Sequence, residues 1–201
     1  MREAGEAKRR ILSEAEALFA ERGYEGAGMD ELARRAGVNK ALIYYYFESK
    51  EKLLDAIAEA FALGLAADIR ASGEELLAML ARREGDPAAI ASWFRLACMN
   101  HFETRQAPLR IILGEAMRTG SPLAEGFEFL REAVEAKRSI DSRILAPEGA
   151  SAAPDDGTAF LEEFLRFAFP VAALVAFKRP LCAASGLAAE DLNRRAADIL
   201  G

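Results

Sequence analysis

The sequence predicts an all-α fold, and three observations carry the prediction. Apolar residues recur at helical spacing, as in Met29, Leu32, Ala33 and Ala36 at i, i+3, i+4 and i+7. Glycine and proline fall between such stretches, at Gly23, Gly37, Gly85-Asp86-Pro87 and Gly120-Ser121-Pro122, where helices stop and start. No stretch alternates apolar and polar residues with the period of two that a half-buried strand shows.

Composition narrows the class. The chain has 201 residues, of which 52% are hydrophobic, enough for a sizeable core. No apolar run reaches the ~18 residues that suggest a membrane-spanning helix. Residues 164–177 come closest and contain Arg166. The opening MREAGEAKRRIL has charges but no apolar block behind it, so no secretory signal is expected. Cys98 and Cys182 have no framework spacing and read as reduced thiols, which together with the rest predicts a cytoplasmic protein without membrane contact.

The elements follow in order. Residues 4–22 form a first helix with Ile11, Ala15, Leu18 and Phe19 on one face, ended by Gly23. Residues 24–28 connect it to a short helix from Met29 to Ala36. Gly37 suits the left-handed C-terminal cap of that helix, and Asn39 can cap the next through its side-chain oxygen. That next helix places Ile43 and Phe47 on one face and Lys40, Ala41, Tyr44 and Tyr45 on the other. Ser49 caps a long helix expected to reach about Ala71, after which Ser72-Gly73 reads as a break. Further helices are expected over 74–83, 87–106, 108–118 and 122–145. A loop follows over 146–157, then an apolar helix over 158–182 bent at Pro170, and a closing amphipathic helix over 187–200.

Two helices joined by a glycine-containing turn, the second with a polar and aromatic outer face, form the helix-turn-helix pattern of DNA binding. The segment AGVNKALIYYYFESKEKL resembles the characteristic stretch of the TetR/AcrR family of bacterial transcriptional regulators. The shared features are the Ala-Gly-Val turn, a small polar residue before lysine, an aliphatic-Tyr pair, Phe47, and Ser-Lys-Glu opening the following helix. The resemblance covers about the first 64 residues. It implies a helix-turn-helix DNA-binding domain over residues 1–64 and a C-terminal ligand-binding and dimerisation domain over 65–201. It further implies a homodimer on double-stranded operator DNA that a small-molecule effector releases. The family usually has hydroxyl residues at the positions of Ala27 and Gly28, so one phosphate contact is expected to be weakened here.

Net charge is −6, which by itself speaks against nucleic acid, but the distribution differs locally. Residues 34–52 carry Arg34, Arg35, Lys40, Lys50 and Lys52 against Glu48 and Glu51, a basic patch on an acidic chain. Lys50 sits in the first turn of a helix, where the dipole disfavours a cation by a few tenths of a kcal/mol, roughly. A phosphate beside it would reverse that sign. Tyr44, Tyr45 and Tyr46 point about 100° apart on a helix, so at least one hydroxyl reaches outward. The resemblance implies phosphate contacts from Tyr44, Tyr46 and Lys50, with Tyr45 near base edges. Lys40 can reach guanine or a phosphate, Asn39 opens the helix, and Ala41 and Leu42 lie where side chains approach bases.

Beyond residue 64 the sequence is less specific. Trp93, Asn100, His101, Phe102, Met117, Phe127 and Phe164 come from four expected helices and are read as the lining of an effector cavity, with His101 and Asn100 its polar groups. His101 is the only histidine, and no second His or Cys pair has metal-ligand spacing, so no metal or cofactor is expected. No catalytic motif is present, so an enzyme is not expected. Two alternative readings are a helical dimeric interaction protein with a weakened DNA surface and a helical-bundle enzyme.

Overall fold

The structure is a computed structural model and describes residues 2–82, 84, 87–119, 123–145, 162 and 164–200. Among these the chain is helical, without strands: α1 (Arg2–Gly26), α2 (Met29–Ala36), α3 (Lys40–Phe47), α4 (Lys50–Ala81), α5 (Pro87–Thr104), α6 (Gln106–Thr119) and α7 (Leu123–Leu145). A π-helical turn (Phe164–Ala168) then leads into α8 (Phe169–Ala176), α9 (Lys178–Ser185) and α10 (Ala189–Leu200). The chain divides into two compact units, Met1–Ala62 with Ala107–Phe129, and Leu63–Gln106 with Leu130–Gly201. Residues 107–129 thus group with the N-terminal helices rather than with the rest of the C-terminal chain.

The first unit closes around the apolar stripes that the sequence shows. Ile11, Ala15, Leu18 and Phe19 of α1 meet Leu32, Ala33 and Ala36 of α2, Ile43 and Phe47 of α3, and Leu53, Leu54 and Ile57 of α4. Ile111 of α6 joins the same cluster. Two arginines fasten α1 to α2. Arg10 Nε donates to the Ala36 carbonyl at 2.6 Å, satisfying one of the acceptors a helix C-terminus leaves open. The Arg35 guanidinium reaches Glu21 at 2.8 Å and Glu31 at 2.9 Å. Its hydrogen bond and charge hold the Glu21 carboxyl below the usual carboxylate range.

In the second unit the buried residues include Leu65, Ile69 and Leu76 of α4, Trp93, Phe94, Ala97, Cys98 and Phe102 of α5, Val134 and Ile140 of α7, and Val171, Leu174 and Val175 of α8. Helix α5 packs on α8 and on the π-helical turn before it.

Two expectations differ from what is observed. Helix α4 does not stop near Ala71 but runs on to Ala81, absorbing the short helix expected from Glu74. Gly73 lies inside it, and a Cβ there would come within 2.5 Å of Ile140 Cγ1. The glycine marks a close approach of α4 and α7 and not a break. The apolar helix expected over 158–182 is not continuous. The π-helical turn precedes Pro170, whose ring would crowd the Arg166 carbonyl in a regular turn. A second interruption falls at Phe177, because Pro180 has no N–H to donate to the Ala176 carbonyl. The loop expected over 146–157 lies outside the described residues.

Candidate nucleic-acid interface

Local rules position α3. Gly37 takes φ 61° and ψ 37°, a left-handed conformation in which its N–H and that of Val38 close on the end of α2. Asn39 is extended, and its Oδ1 accepts from Leu42 N at 2.7 Å. Caps of this kind contribute about 1 kcal/mol. Ser49 Oγ accepts from Lys52 N at 3.1 Å and opens α4 in the same way.

These caps and the burial of Ile43 and Phe47 fix which face of α3 meets solvent. Lys40, Ala41, Tyr44 and Tyr45 are exposed, Tyr45 at 78%, while Leu42 and Tyr46 are half-buried. Tyr46 packs against the core of the unit and meets the rings of Tyr45 and Phe47 edge-on, at 5.2 and 6.4 Å between centroids. Lys40 Nζ donates to Asp30 Oδ2 at 3.0 Å, and this hydrogen bond raises the lysine pKa. The ammonium of Lys50 is not extended into solvent. It lies 4.6 Å from the centroid of Tyr24, 5.9 Å from that of Phe19, and 3.4 Å from the Glu25 carbonyl oxygen.

The two residues that replace hydroxyls differ in consequence. Ala27 is buried in the core of the unit, so its side chain does not face outward. Gly28 is exposed and is the N-cap of α2, with no side-chain bond to the helix start. The first N–H groups of α2 therefore lack that cap and can meet a phosphate directly. Sequence reasoning missed Asp30, Arg10, Arg35 and Tyr24, the residues that hold this surface in place. Apart from Glu31, four residues before Arg35, their partners are distant in sequence, and no spacing rule connects them.

Of the residues read as an effector cavity, three are buried in the second unit and two face outward. Trp93, His101 and Phe102 are buried along α5. His101 Nδ1 donates to Asp68 Oδ2 on α4 at 2.7 Å, with Gly64 leaving room for the imidazole. Asn100, on the same helix, faces solvent. Met117 is 71% exposed and belongs to the first unit, because α6 turns Ile111 and Glu115 inward and Met117 outward. The side chains of Phe127 and Phe164 lie outside the described residues. A cleft of about 380 Å3 lies in the first unit, between the end of α1 and α6, lined among others by Tyr24, Glu25, Arg110, Glu115 and Arg118. Arg118 pairs there with Glu115 at 2.5 Å and with Glu25 at 2.9 Å. Among the described residues no group of three His, Cys, Asp or Glu side chains could hold a metal ion, and no helix is long and apolar enough to cross a membrane.

Three packed helices, a glycine turn, and a capped second helix with lysine and tyrosines outward make the N-terminal unit a helix-turn-helix DNA-binding domain. The profile of bacterial regulatory proteins of the tetR family matches residues 11–57. Residues 11–57 are thus similar to the DNA-binding domain of the tetR family. The HTH-type transcriptional activator FasR of Mycolicibacterium smegmatis is 35% identical over 89 residues, 44% of this chain and 39% of FasR. IcaR of Staphylococcus aureus, a negative transcriptional regulator of the biofilm operon icaADBC, is 38% identical over 48 residues, 24% of this chain and 26% of IcaR. The chain spans less than half the length of the curated relatives it matches. The likeness extends to the whole fold in the TetR family regulator PfmR from Thermus thermophilus, with a TM-score of 0.59 and 25% identity over 95% of this chain and 96% of PfmR.

Proposed function

We propose that this protein is a homodimeric, cytoplasmic repressor that binds a near-palindromic operator through α3 and leaves it when a small molecule binds its second unit. The observation that carries the DNA-binding half is the division of α3. Ile43 and Phe47 anchor it in the core, and Lys40, Ala41, Tyr44 and Tyr45 stand outward on a helix too short to bend away. Tyr44 and Lys50 are assigned to phosphates, and Lys40, Ala41 and Tyr45 to the floor of the major groove. Half-buried Leu42 and Tyr46 and the cap Asn39 flank that surface. Lys50→Ala should weaken binding to all DNA sequences alike and lower the slope of log K against log salt by about 1. An unchanged slope would remove Lys50 from the interface.

The dimer is supported by a run of exposed apolar side chains near the C-terminal end of the described chain. Leu165, Phe169, Phe177 and Leu181 recur at intervals of four and eight residues, and all are exposed. The effector is assigned to the second unit, beside Trp93, His101 and Phe102. Repression is our reading of operator occupancy; FasR is named an activator and IcaR a negative regulator. An effector that releases operator must itself bind operator-bound protein more weakly, by the same factor. Equal ligand affinity for free and operator-bound protein would contradict the release.

A further inference from the structure

We propose that Tyr24 is a positioning residue for Lys50, holding its ammonium at the mouth of the DNA-binding surface through the face of the phenol ring. This rests on the phosphate contact assigned to Lys50 above. Lys50 is the first residue of α4, where the helix dipole pushes a cation away. A flexible lysine there would turn to solvent, yet its Nζ lies 4.6 Å from the Tyr24 ring centroid and donates to the Glu25 carbonyl oxygen. The negative face of an aromatic ring attracts an ammonium at that distance. Tyr24 is itself fixed, because its ring stands edge-on to the buried Phe19, 5.5 Å between centroids and 79° between planes.

The hydroxyl has no part in this. It is buried beside the Glu51 carboxylate, which it approaches without reaching full hydrogen-bond geometry. Burial, with the nearby Glu51 carboxylate, raises its pKa, so the ring remains the neutral phenol. The ring face alone meets the cation. A lysine already held in place loses less rotamer freedom when a phosphate arrives, which is where the gain in affinity comes from.

The test uses the full-length protein and a DNA duplex that it binds. Tyr24→Phe keeps the ring face and should leave DNA affinity unchanged. Tyr24→Leu should weaken it by about two- to fivefold, the factor that corresponds to an exposed cation–π contact. In a Lys50→Ala background the same substitution should cost nothing further. A ring-fluorinated phenylalanine at position 24 preserves shape while draining the ring face of charge, and should fall between the two, whatever Tyr24→Leu does to folding. In the free protein, ring currents should shift the Lys50 ε-methylene protons upfield in the parent and in Tyr24→Phe, and not in Tyr24→Leu. Additive losses from Tyr24→Leu and Lys50→Ala, or a fluorinated ring as good as phenylalanine, would overturn the positioning role and leave the Lys50 contact standing. Full affinity in Lys50→Ala alone would instead overturn the phosphate contact, and this inference with it.

Discussion

Phe177→Asp is expected to convert the dimer to monomers at micromolar concentration and to reduce operator affinity by about 100-fold or more. Phe177 is 47% exposed in the single chain, at the interruption between α8 and α9. Covering it with a second copy would remove apolar surface from water, at roughly 1.5–3 kcal/mol for a fully buried phenylalanine. An aspartate at the same place brings an unpaired carboxylate into the interface, and two-fold symmetry brings it twice. Uncompensated buried charges cost about 3–5 kcal/mol each. The monomer itself should still fold, since the side chain is already half in water. Operator affinity falls because two half-sites gripped by one dimer gain about 10²–10⁴ from linkage that separate monomers lose. Light scattering and a DNA titration on the same sample read both effects. A Phe177→Asp protein that stays dimeric, or a parent that is monomeric, would contradict this interface. Leu174 would be the wrong position for the test, because it is buried within the unit and a charge there would damage the fold first.

Ile43→Ala is expected to abolish DNA binding without removing any atom from the DNA-facing surface. Ile43 is fully buried at the centre of the first unit, among Leu18, Phe19, Leu32 and Phe47. Truncating a buried isoleucine to alanine costs about 2–5 kcal/mol, against total stabilities of about 5–15 kcal/mol for a folded domain. Helix α3 has eight residues, well below the length at which a helix persists alone in water. Its order depends on the packing of Ile43 and Phe47. Urea unfolding followed by circular dichroism should show the loss of stability, and a mobility-shift assay the loss of binding. A stability change below about 1 kcal/mol would mean that the core of this unit closes around the cavity, and that α3 is held by its caps rather than by its buried face.

What could be read from the sequence was local. Gly37, Asn39 and Ser49 act through neighbours two to four residues away, so their roles follow from residue type and position. Ile43 and Phe47 are recognised as core because four residues separate neighbours on one helix face. The errors arose where a distant partner decides. Ser72-Gly73 reads as a break until Ile140 is seen pressing on the glycine. The contact of the Lys50 ammonium with the Tyr24 ring was equally invisible, because the two residues lie on different helices. The effector cavity was assembled from apolar residues on separate helices as if all turned inward. Met117 shows the weakness of that step, since the outer face of an amphipathic helix also carries large apolar side chains. Pro180 was a local signal that could have placed the interruption at Phe177, because a proline leaves the carbonyl four residues earlier without its donor.

The central claim is that α3 reads a particular DNA sequence. The most direct measurement is a titration of the protein into labelled duplex from the DNA flanking its own coding region, beside a shuffled duplex of equal length and composition, at physiological salt. The account predicts binding to one flanking segment about 10³-fold or more tighter than to the shuffled duplex. Half-sites within that segment should be spaced about 34–36 Å or a longer in-phase distance. Equal affinity for both duplexes across all flanking segments would contradict it.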